Sequence, residues 1–251
     1  MNRCIIATIF VLCATSALAR ANPSLSFTWN SCTGPIQQAS TGPGTYSLYV
    51  TVTGVQAPHR AYEAWFSLAA VKGDVPDAWR FDESGCQGLS AIRFCPPSPL
   101  DVPSLVDDCP VMWGKGRFLV IHGIRPWISQ DPPGVPSNGL VFELANAYDD
   151  VTTPDPNKRY FLYRVDFDHA NSVAGAGTPG TSCGGFENDI VIRPIASRCN
   201  WLTVPPADQY PSEVRFDLPQ PYAQFGDKET VSDTTPAALS SWGSIKAQYR
   251  R

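Results

Sequence analysis

The chain has 251 residues, of which 17% are charged and 43% hydrophobic, and its formal net charge is −4. A chain of this length buries a sizeable core, so it does not need disulfide bonds merely to fold. A mildly acidic chain without clustered Lys and Arg lacks the basic surface that nucleic-acid binding requires, and we expect no nucleic-acid partner.

The N-terminus has the composition of an export signal. A positive start at Arg3 precedes an almost entirely apolar stretch, Cys4–Leu12, and residues 17–19 form a small-x-small cleavage pattern. A signal peptidase reads this order of positive, apolar and small residues. Because the apolar stretch is shorter than the about 20 residues that span a bilayer, we expect no transmembrane span. The sequence predicts a signal peptide over 1–19, cleavage near Ala19, and secretion to the extracellular space, cell surface or periplasm.

Six cysteines follow the leader, an even number as full pairing requires: Cys32, Cys86, Cys95, Cys109, Cys183 and Cys199. An exported chain meets an oxidising compartment, so we expect all six to form disulfides. The sequence does not choose among the many connectivities. Two local pairings are reasonable. Cys183 and Cys199 bracket one strand and its return, and Cys86 would close a short loop with Cys95 or Cys109. A zinc site is disfavoured because the chain has no Cys-x-x-Cys, and we expect no cofactor.

The segments between turns alternate with period two, which predicts half-buried strands, while 24 prolines and 19 glycines exclude long helices. Apolar residues share one face in two segments: Tyr46, Leu48, Val50 and Val52 in the first, Phe161, Tyr163, Val165 and Phe167 in the second. Further predicted strands are Leu25–Trp29, Glu63–Ala70, Ile92–Phe94, Phe118–Ile124, Leu140–Ala145, Ile190–Ile195 and Val214–Leu218. This pattern predicts one all-β domain over 20–221, an antiparallel β-sandwich that is immunoglobulin-like or similar to cohesin and carbohydrate-binding modules.

One catalytic pattern occurs. The stretch Gly180–Gly184, Gly-Thr-Ser-Cys-Gly, matches the nucleophile elbow G-x-S-x-G. All three histidines, His59, His122 and His169, precede Ser182, and this order excludes an α/β-hydrolase. The order fits a chymotrypsin-like protease, but the residues around Ser182 and His122 do not match the motifs of that class. We interpret the stretch as a glycine-rich turn that carries a disulfide cysteine, and we predict no catalytic residue.

Two acidic groups are weak site candidates. Asp149, Asp150 and Asp155 form an oxygen-rich cluster of the kind that calcium prefers, although Asp is also a common turn former. Asp166 and Asp168 share one strand face about 7 Å apart. Paired carboxylates at similar distances hydrolyse glycosides, but two carboxylates on one strand without a cleft do not make such a site.

Trp113 and Trp127 lie beside Gly and Pro at loop edges and are weak candidates for ligand binding. Exposed aromatic rings stack on sugars and are enriched at binding surfaces. The alternative is that these large residues fill the core. The partner that such a surface would take is an extracellular glycan or protein.

The C-terminal part differs from the rest. The chain is polar after Pro221, and we predict a flexible segment over 222–236. Residues 237–251 are helix-like, because Trp242, Ile245 and Tyr249 fall near one face at helical spacing. We predict an amphipathic C-terminal helix that docks on the domain. A tail recognised by sorting or surface-attachment machinery remains an alternative.

Four stretches together resemble a group of exported bacterial β-rich proteins. Leu25–Cys32 resembles their Leu-x-Trp-x-x-Cys start, and Pro76–Phe81 with Gly85-Cys86 is similar to their Ala-Trp-x-Phe…Gly-Cys middle. Tyr160–Gly185 resembles the part of those proteins where a strand leads to a glycine-rich loop with a cysteine. Ser241–Arg250 is similar to their Trp-Gly-x-Ile-Lys-x-x-Tyr-Arg end. The resemblance implies an exported β protein and supplies neither catalytic residues nor a cysteine pairing.

The sequence therefore predicts an exported, extracellular or cell-surface module with a structural or binding role, in adhesion or glycan recognition. The alternative is a secreted hydrolase, such as a chymotrypsin-like serine protease or a glycoside hydrolase. Ser182 within hydrogen-bond reach of His59 or His122 would favour the hydrolase. A buried disulfide at Cys183 would oppose it.

Overall fold

A computed structural model of the chain describes residues 23–39, 42–55, 61–83, 85–95, 109–111, 117–126, 137–148, 154–200, 213–215 and 222–226. The strands within these ranges are β1 (Ser24–Trp29), β2 (Gln37–Gln38), β3 (Thr45–Thr53), β4 (Ala61–Ala70), β5 (Ile92–Cys95), β6 (Arg117–Pro126), β7 (Leu140–Tyr148), β8 (Tyr160–Asp168), β9 (Ile190–Asn200), β10 (Glu213–Arg215) and β11 (Ala223–Phe225). Two short 3-10 helices, Asp77–Trp79 and Leu89–Ala91, are the helical elements of these ranges. The prediction of an all-β fold is confirmed. No helix in the described ranges has the length and apolar character that crossing a bilayer requires.

The strands form two sheets. The four-stranded sheet has the order β1-β3-β8-β5, and the seven-stranded sheet has the order β2-β11-β9-β4-β7-β6, with β10 paired to β9. β2 runs parallel to β11, whereas the other strand pairs are antiparallel. The seven-stranded sheet is therefore mixed, which corrects the prediction of purely antiparallel pairing. β11 lies between β9 and the short β2, and it pairs antiparallel with β9 and parallel with β2.

Nine of the strands correspond to predicted ones, with ends that differ by a few residues. The other two, Gln37–Gln38 and Ala223–Phe225, are too short to show a periodic pattern. β11 lies where the flexible segment 222–236 was expected to begin, and all three of its residues are buried in the sheet. The remainder of that segment, the predicted signal peptide 1–19 and the predicted helix 237–251 lie outside the described residues.

Apolar side chains from both sheets share one core. Phe27 of β1 meets Phe66 of β4 edge-on at 5.7 Å between ring centroids, and Trp29 meets Phe225 of β11 at 5.9 Å. Phe66 also stacks on Phe142 of β7 at 4.6 Å. Complete burial of one such ring stabilises the fold by about 2 kcal/mol. The contacts of Phe27 and Trp29 cross from one sheet to the other and are therefore a main force that holds the sheets together.

β8 departs from the predicted alternation at one point. The register between β3 and β8 shifts at Val50 and Thr51, where the pairing passes over Leu162. A bulge of this kind moves the residues on its two sides to different faces. Phe161 consequently lies in a second, smaller cluster, whereas Leu162 and Tyr163 both belong to the main core. The prediction that Phe161 and Tyr163 share one face is therefore wrong.

Candidate functional site

One disulfide joins two loops that are far apart in the sequence. Cys86 and Cys183 are bonded, with 5.7 Å between their Cα atoms and a sequence separation of 97 residues. The local pairing of Cys183 with Cys199 is therefore wrong. The pairing of Cys86 with Cys95 or Cys109 is wrong for the same reason.

Tertiary hydrogen bonds bring these two loops together. The Ala78 N–H donates to the Gly184 carbonyl at 2.9 Å. The Gln87 side-chain amide donates to the Ser172 hydroxyl at 2.5 Å, and both side chains are buried. Hydrogen bonds in such a water-poor environment are electrostatically stronger than in water. The spacing of cysteines along the chain does not reveal such long-range contacts. For this reason the predicted pairings between nearby cysteines are wrong.

Ser182 of the G-x-S-x-G pattern is held in a turn. Its hydroxyl accepts a hydrogen bond from the Thr178 N–H at 2.9 Å. Residues 174–181 form turns and bends, where a nucleophile elbow would need a strand. Cys183, the next residue, is buried and disulfide-bonded. The stretch is thus a turn that carries a disulfide cysteine.

The two histidines that the structure describes have other hydrogen-bond partners. His169 Nδ1 lies 3.0 Å from the Ser172 hydroxyl, and His122 Nδ1 lies 3.3 Å from the Tyr163 hydroxyl. His169 is fully buried, whereas His122 is exposed. His59 lies outside the described residues. In the described part of the chain, neither histidine ring is therefore positioned as a base for the serine of the G-x-S-x-G turn.

A groove with a volume of about 330 Å³ lies beside the edge strand β5, on the face of the four-stranded sheet that is turned away from the main core. We call it the β5 groove. Five of its seven lining residues are polar, and they include side chains of both charges. The lining residues are Thr45, Ser90, Ala91, Ile92, Arg93, Asp166 and Asp168. Convergent polar groups in a concavity are the usual feature of a site for a small polar ligand.

Asp166 is the centre of a charge network at the floor of this groove. Its Oδ1 lies 2.8 Å from Arg164 Nε, and its Oδ2 lies 3.3 Å from Arg93 Nη2. The Ser47 hydroxyl donates to Oδ1 at 2.7 Å, and Cys95 Sγ lies 3.6 Å from Oδ2. Strand register creates this arrangement, because Asp166 of β8 is directly opposite Ser47 of β3 on one side and Arg93 of β5 on the other.

The network does not prepare a nucleophile. Burial raises the pKa of the Cys95 thiol, and the neighbouring Asp166 carboxylate raises it further. Burial also raises the pKa of the Tyr49 phenol. Because the thiolate is the reactive form of cysteine, a raised pKa makes Cys95 a poorer nucleophile. The residues that line the groove offer hydrogen bonds and charge pairing.

The two carboxylates considered for glycoside hydrolysis have separate roles. Asp166 is held between the guanidinium groups of Arg164 and Arg93. Asp168 is exposed at the rim of the groove, and its Oδ1 accepts the Ala170 N–H at 2.9 Å. Neither arginine was predicted as a site residue. The available signal was the run of charged residues Arg164, Asp166 and Asp168 on one face of a predicted strand.

The one described member of the calcium candidate cluster forms a turn. Asp155 Oδ1 accepts the Asn157 N–H at 3.0 Å, and the Asp155 carbonyl accepts the Lys158 N–H at 3.0 Å. The described residues contain no group of three or more His, Cys, Asp or Glu side chains that could hold a metal ion. Four further candidates lie outside the described residues: Asp149, Asp150, Trp113 and Trp127.

Replacing Asp166 by alanine is expected to lower the free energy of unfolding by about 2–4 kcal/mol, because it removes the carboxylate that pairs with the largely buried Arg164 guanidinium. Arg93→Ala is the matched control. The Arg93 side chain is 73% exposed, and an exposed ion pair contributes only about 0–1 kcal/mol. Urea denaturation of both variants measures the difference. Equally small losses in the two variants would contradict a central role for Asp166.

Comparison with known proteins finds no matching family model and no matching curated protein. Among solved structures, the chain is similar to one described as "AvmM Catalyzes Macrocyclization in Alchivemycin A Biosynthesis". The TM-score is 0.32 at 12% sequence identity, and the similarity covers 83% of this chain and 91% of that chain. A similarity of this size carries no argument about the fold or the function.

Proposed function

We propose that this protein is an exported β-sandwich module, immunoglobulin-like or similar to cohesin and carbohydrate-binding modules, that binds a glycan at the cell surface or outside the cell. The observation that carries the proposal is the β5 groove, whose polar lining is fixed by the Asp166 network. The role is recognition without catalysis. It agrees with the resemblance to exported bacterial β-rich proteins.

Export is supported by the disulfide between Cys86 and Cys183. Disulfides persist in oxidising compartments and are rare in the cytosol, where thiols are kept reduced. Cys86 is exposed, so a reducing environment would have direct access to this bond. The predicted signal peptide over 1–19 gives a route to such a compartment.

Glycan binding is supported by the chemistry of the groove rim. Arg93 presents N–H donors, and Asp168 presents carboxylate acceptors. The hydroxyl groups of Thr45 and Ser90 both donate and accept. The hydroxyl groups of a sugar can pair with the guanidinium donors, with the carboxylate acceptors and with the protein hydroxyl groups. The ion pair with Asp166 orients the Arg93 guanidinium before a ligand arrives, which reduces the entropy lost on binding.

Glycan and peptide arrays probed with the mature protein test the proposal. We expect binding to a glycan, and we expect Asp168→Asn to weaken it about tenfold or more, because a hydrogen bond to a charged group is lost. The asparagine keeps an oxygen for the Ala170 N–H, so the fold is preserved. Val173→Ser is the matched control, since Val173 is exposed and lies outside the groove lining.

Three outcomes would overturn the proposal in different ways. Glycan binding that survives Asp168→Asn unchanged would place the site elsewhere on the protein. If the protein binds to no glycan and no peptide on the arrays, a structural role would replace the proposed binding role. Cleavage of a glycan or peptide that is abolished by Ser182→Ala would favour the alternative of a secreted hydrolase.

A further inference from the structure

Two cysteines outside the Cys86–Cys183 disulfide are buried in one small cluster. The cluster consists of Cys32, Tyr49, Cys109 and Phe161, with Val111 packed against it. Cys32 and Cys109 expose only 1% and 0% of their surface. The cluster lies on the outer face of the four-stranded sheet, where the bulge in β8 turns Phe161 away from the main core.

Arg159 contacts the two chain segments that carry these cysteines. Its Nη1 donates to the Cys32 carbonyl at 2.8 Å. Its own carbonyl lies 3.7 Å from Cys109 Sγ, which donates to it. Arg159, the residue immediately before β8, therefore contacts the backbone of the first cysteine and the thiol of the second.

Backbone hydrogen bonds fix the segment that carries Cys109 and the segment that carries Cys32. The Phe161 N–H donates to the Pro110 carbonyl at 3.0 Å, and Val111 forms a parallel bridge with Phe161. These bonds hold the segment of Cys109 against β8. On the other side, the Trp29 N–H donates to the Pro35 carbonyl at 2.8 Å and closes the turn that contains Cys32. The two cysteines thus belong to one cluster, and each lies on a segment that backbone hydrogen bonds fix.

Two further described cysteines lie outside the Cys86–Cys183 disulfide, Cys95 in β5 and Cys199 in β9. Cys95 belongs to the Asp166 network. Its Sγ lies 3.4 Å from Arg164 Nη2, and in the strand register it is opposite Arg164. Tyr49 of the cluster is opposite Arg164 on the other side of β8, so two strand spacings, about 10 Å, separate the backbones of Cys95 and Tyr49. The Cα atoms of a disulfide lie within about 7 Å of each other. The backbone of Cys199 pairs with Tyr62 in the seven-stranded sheet.

We propose that Cys32 and Cys109 form a second disulfide, which fastens the segment 109–111 to the turn after β1. The inference rests on the proposed export. Cys109 is a thiol in the structure, so the bond requires oxidation. Each thiol loses one hydrogen, and the two electrons reduce the disulfide of a thiol–disulfide oxidoreductase to two thiols. Because both sulfurs are buried, the exchange takes place during folding, before the segment closes over the sheet.

Disulfide mapping of the full exported protein tests the pairing. The protein is denatured without reductant, alkylated, digested and analysed by mass spectrometry. We expect one peptide pair that joins Cys32 to Cys109 and another that joins Cys86 to Cys183. Alkylation of both Cys32 and Cys109, with Cys86 and Cys183 still joined, would overturn this inference alone. Alkylation of all four cysteines would overturn the export proposal as well.

A cysteine variant gives an independent readout in the same exported protein. Cys109→Ser should leave Cys32 open to alkylation, whereas the matched control Cys95→Ser should leave Cys32 protected, as in the wild type. We also expect Cys109→Ser to lower the melting temperature by about 5–10 °C, because the closed loop constrains the unfolded chain. Equal labelling of Cys32 in the wild type and in Cys109→Ser would contradict the pairing.

Discussion

Replacing Cys86 and Cys183 together by alanine is expected to lower the free energy of unfolding by about 3–5 kcal/mol. The bond closes a loop of 97 residues. In the chain-entropy model, closing a loop of this length lowers the conformational entropy of the unfolded chain. This raises the free energy of the unfolded state by roughly 4–5 kcal/mol. Small proteins are stable by only about 5–15 kcal/mol, so this one bond supplies a large share of the total.

Guanidinium denaturation of the wild type and the double variant measures the loss. Cys95→Ala is the matched control, since Cys95 is a partly buried cysteine outside this disulfide. It should lose about 1 kcal/mol or less, because it gives up local packing and the weak hydrogen bonds of the thiol with Asp166 and Arg164. Unfolding of the double variant at the same denaturant concentration as the wild type would show that the loops are held by their hydrogen bonds alone.

The strands could be predicted because their signal is local. In β3, Tyr46, Leu48, Val50 and Val52 alternate in the sequence, and all four lie in the main core. Each residue of a strand faces the side opposite its neighbour, so the pattern needs no knowledge of the partner strand. The same reasoning failed at Phe161, because the bulge depends on how β8 meets β3.

The candidate site could not be predicted because it depends on long-range pairing. Ser47, Arg93 and Asp166 become neighbours only through the register of three strands that are distant in the sequence. The close approach of two backbone segments in the glycine-rich loop could not be predicted either. A Cβ on Gly184 would collide with the backbone nitrogen of Gly177, so these glycines permit close approach of two backbones. Composition alone indicates only a turn.

Acidification is expected to destabilise the fold strongly through His169. The residue is fully buried, and its ring lies 4.4 Å from Trp79 and 4.9 Å from Phe186 between centroids. The Gln87 amide donates to the Ser172 hydroxyl, whose own hydrogen then points to His169 Nδ1. This chain of bonds fits a neutral imidazole with its proton on Nε2.

Burial lowers the pKa of His169 to about 3, and an interaction of the ring with the Ala78 backbone opposes this shift only in part. Among the described residues, none offers Nε2 of His169 a well-aligned hydrogen bond that would stabilise a positive charge. In the unfolded chain the pKa of histidine is about 6.5. Between about pH 6.5 and 3, the unfolded state therefore binds a proton that the folded state does not.

The sign of the effect follows from this difference in bound protons. The contribution of His169 to stability is fully present above about pH 6.5. It is lost as the pH falls, by about 1.4 kcal/mol per pH unit, up to roughly 4–5 kcal/mol near pH 3.

Urea denaturation of the wild type at a series of pH values from about 7 to 4 measures the change of the free energy of unfolding with pH. His169→Gln is the matched variant, because glutamine accepts the Ser172 hydrogen bond but does not titrate. The carboxylates contribute equally to both proteins, so the difference in slope isolates the histidine. Parallel curves for the two proteins would show that His169 already binds its proton in the folded state at mildly acidic pH.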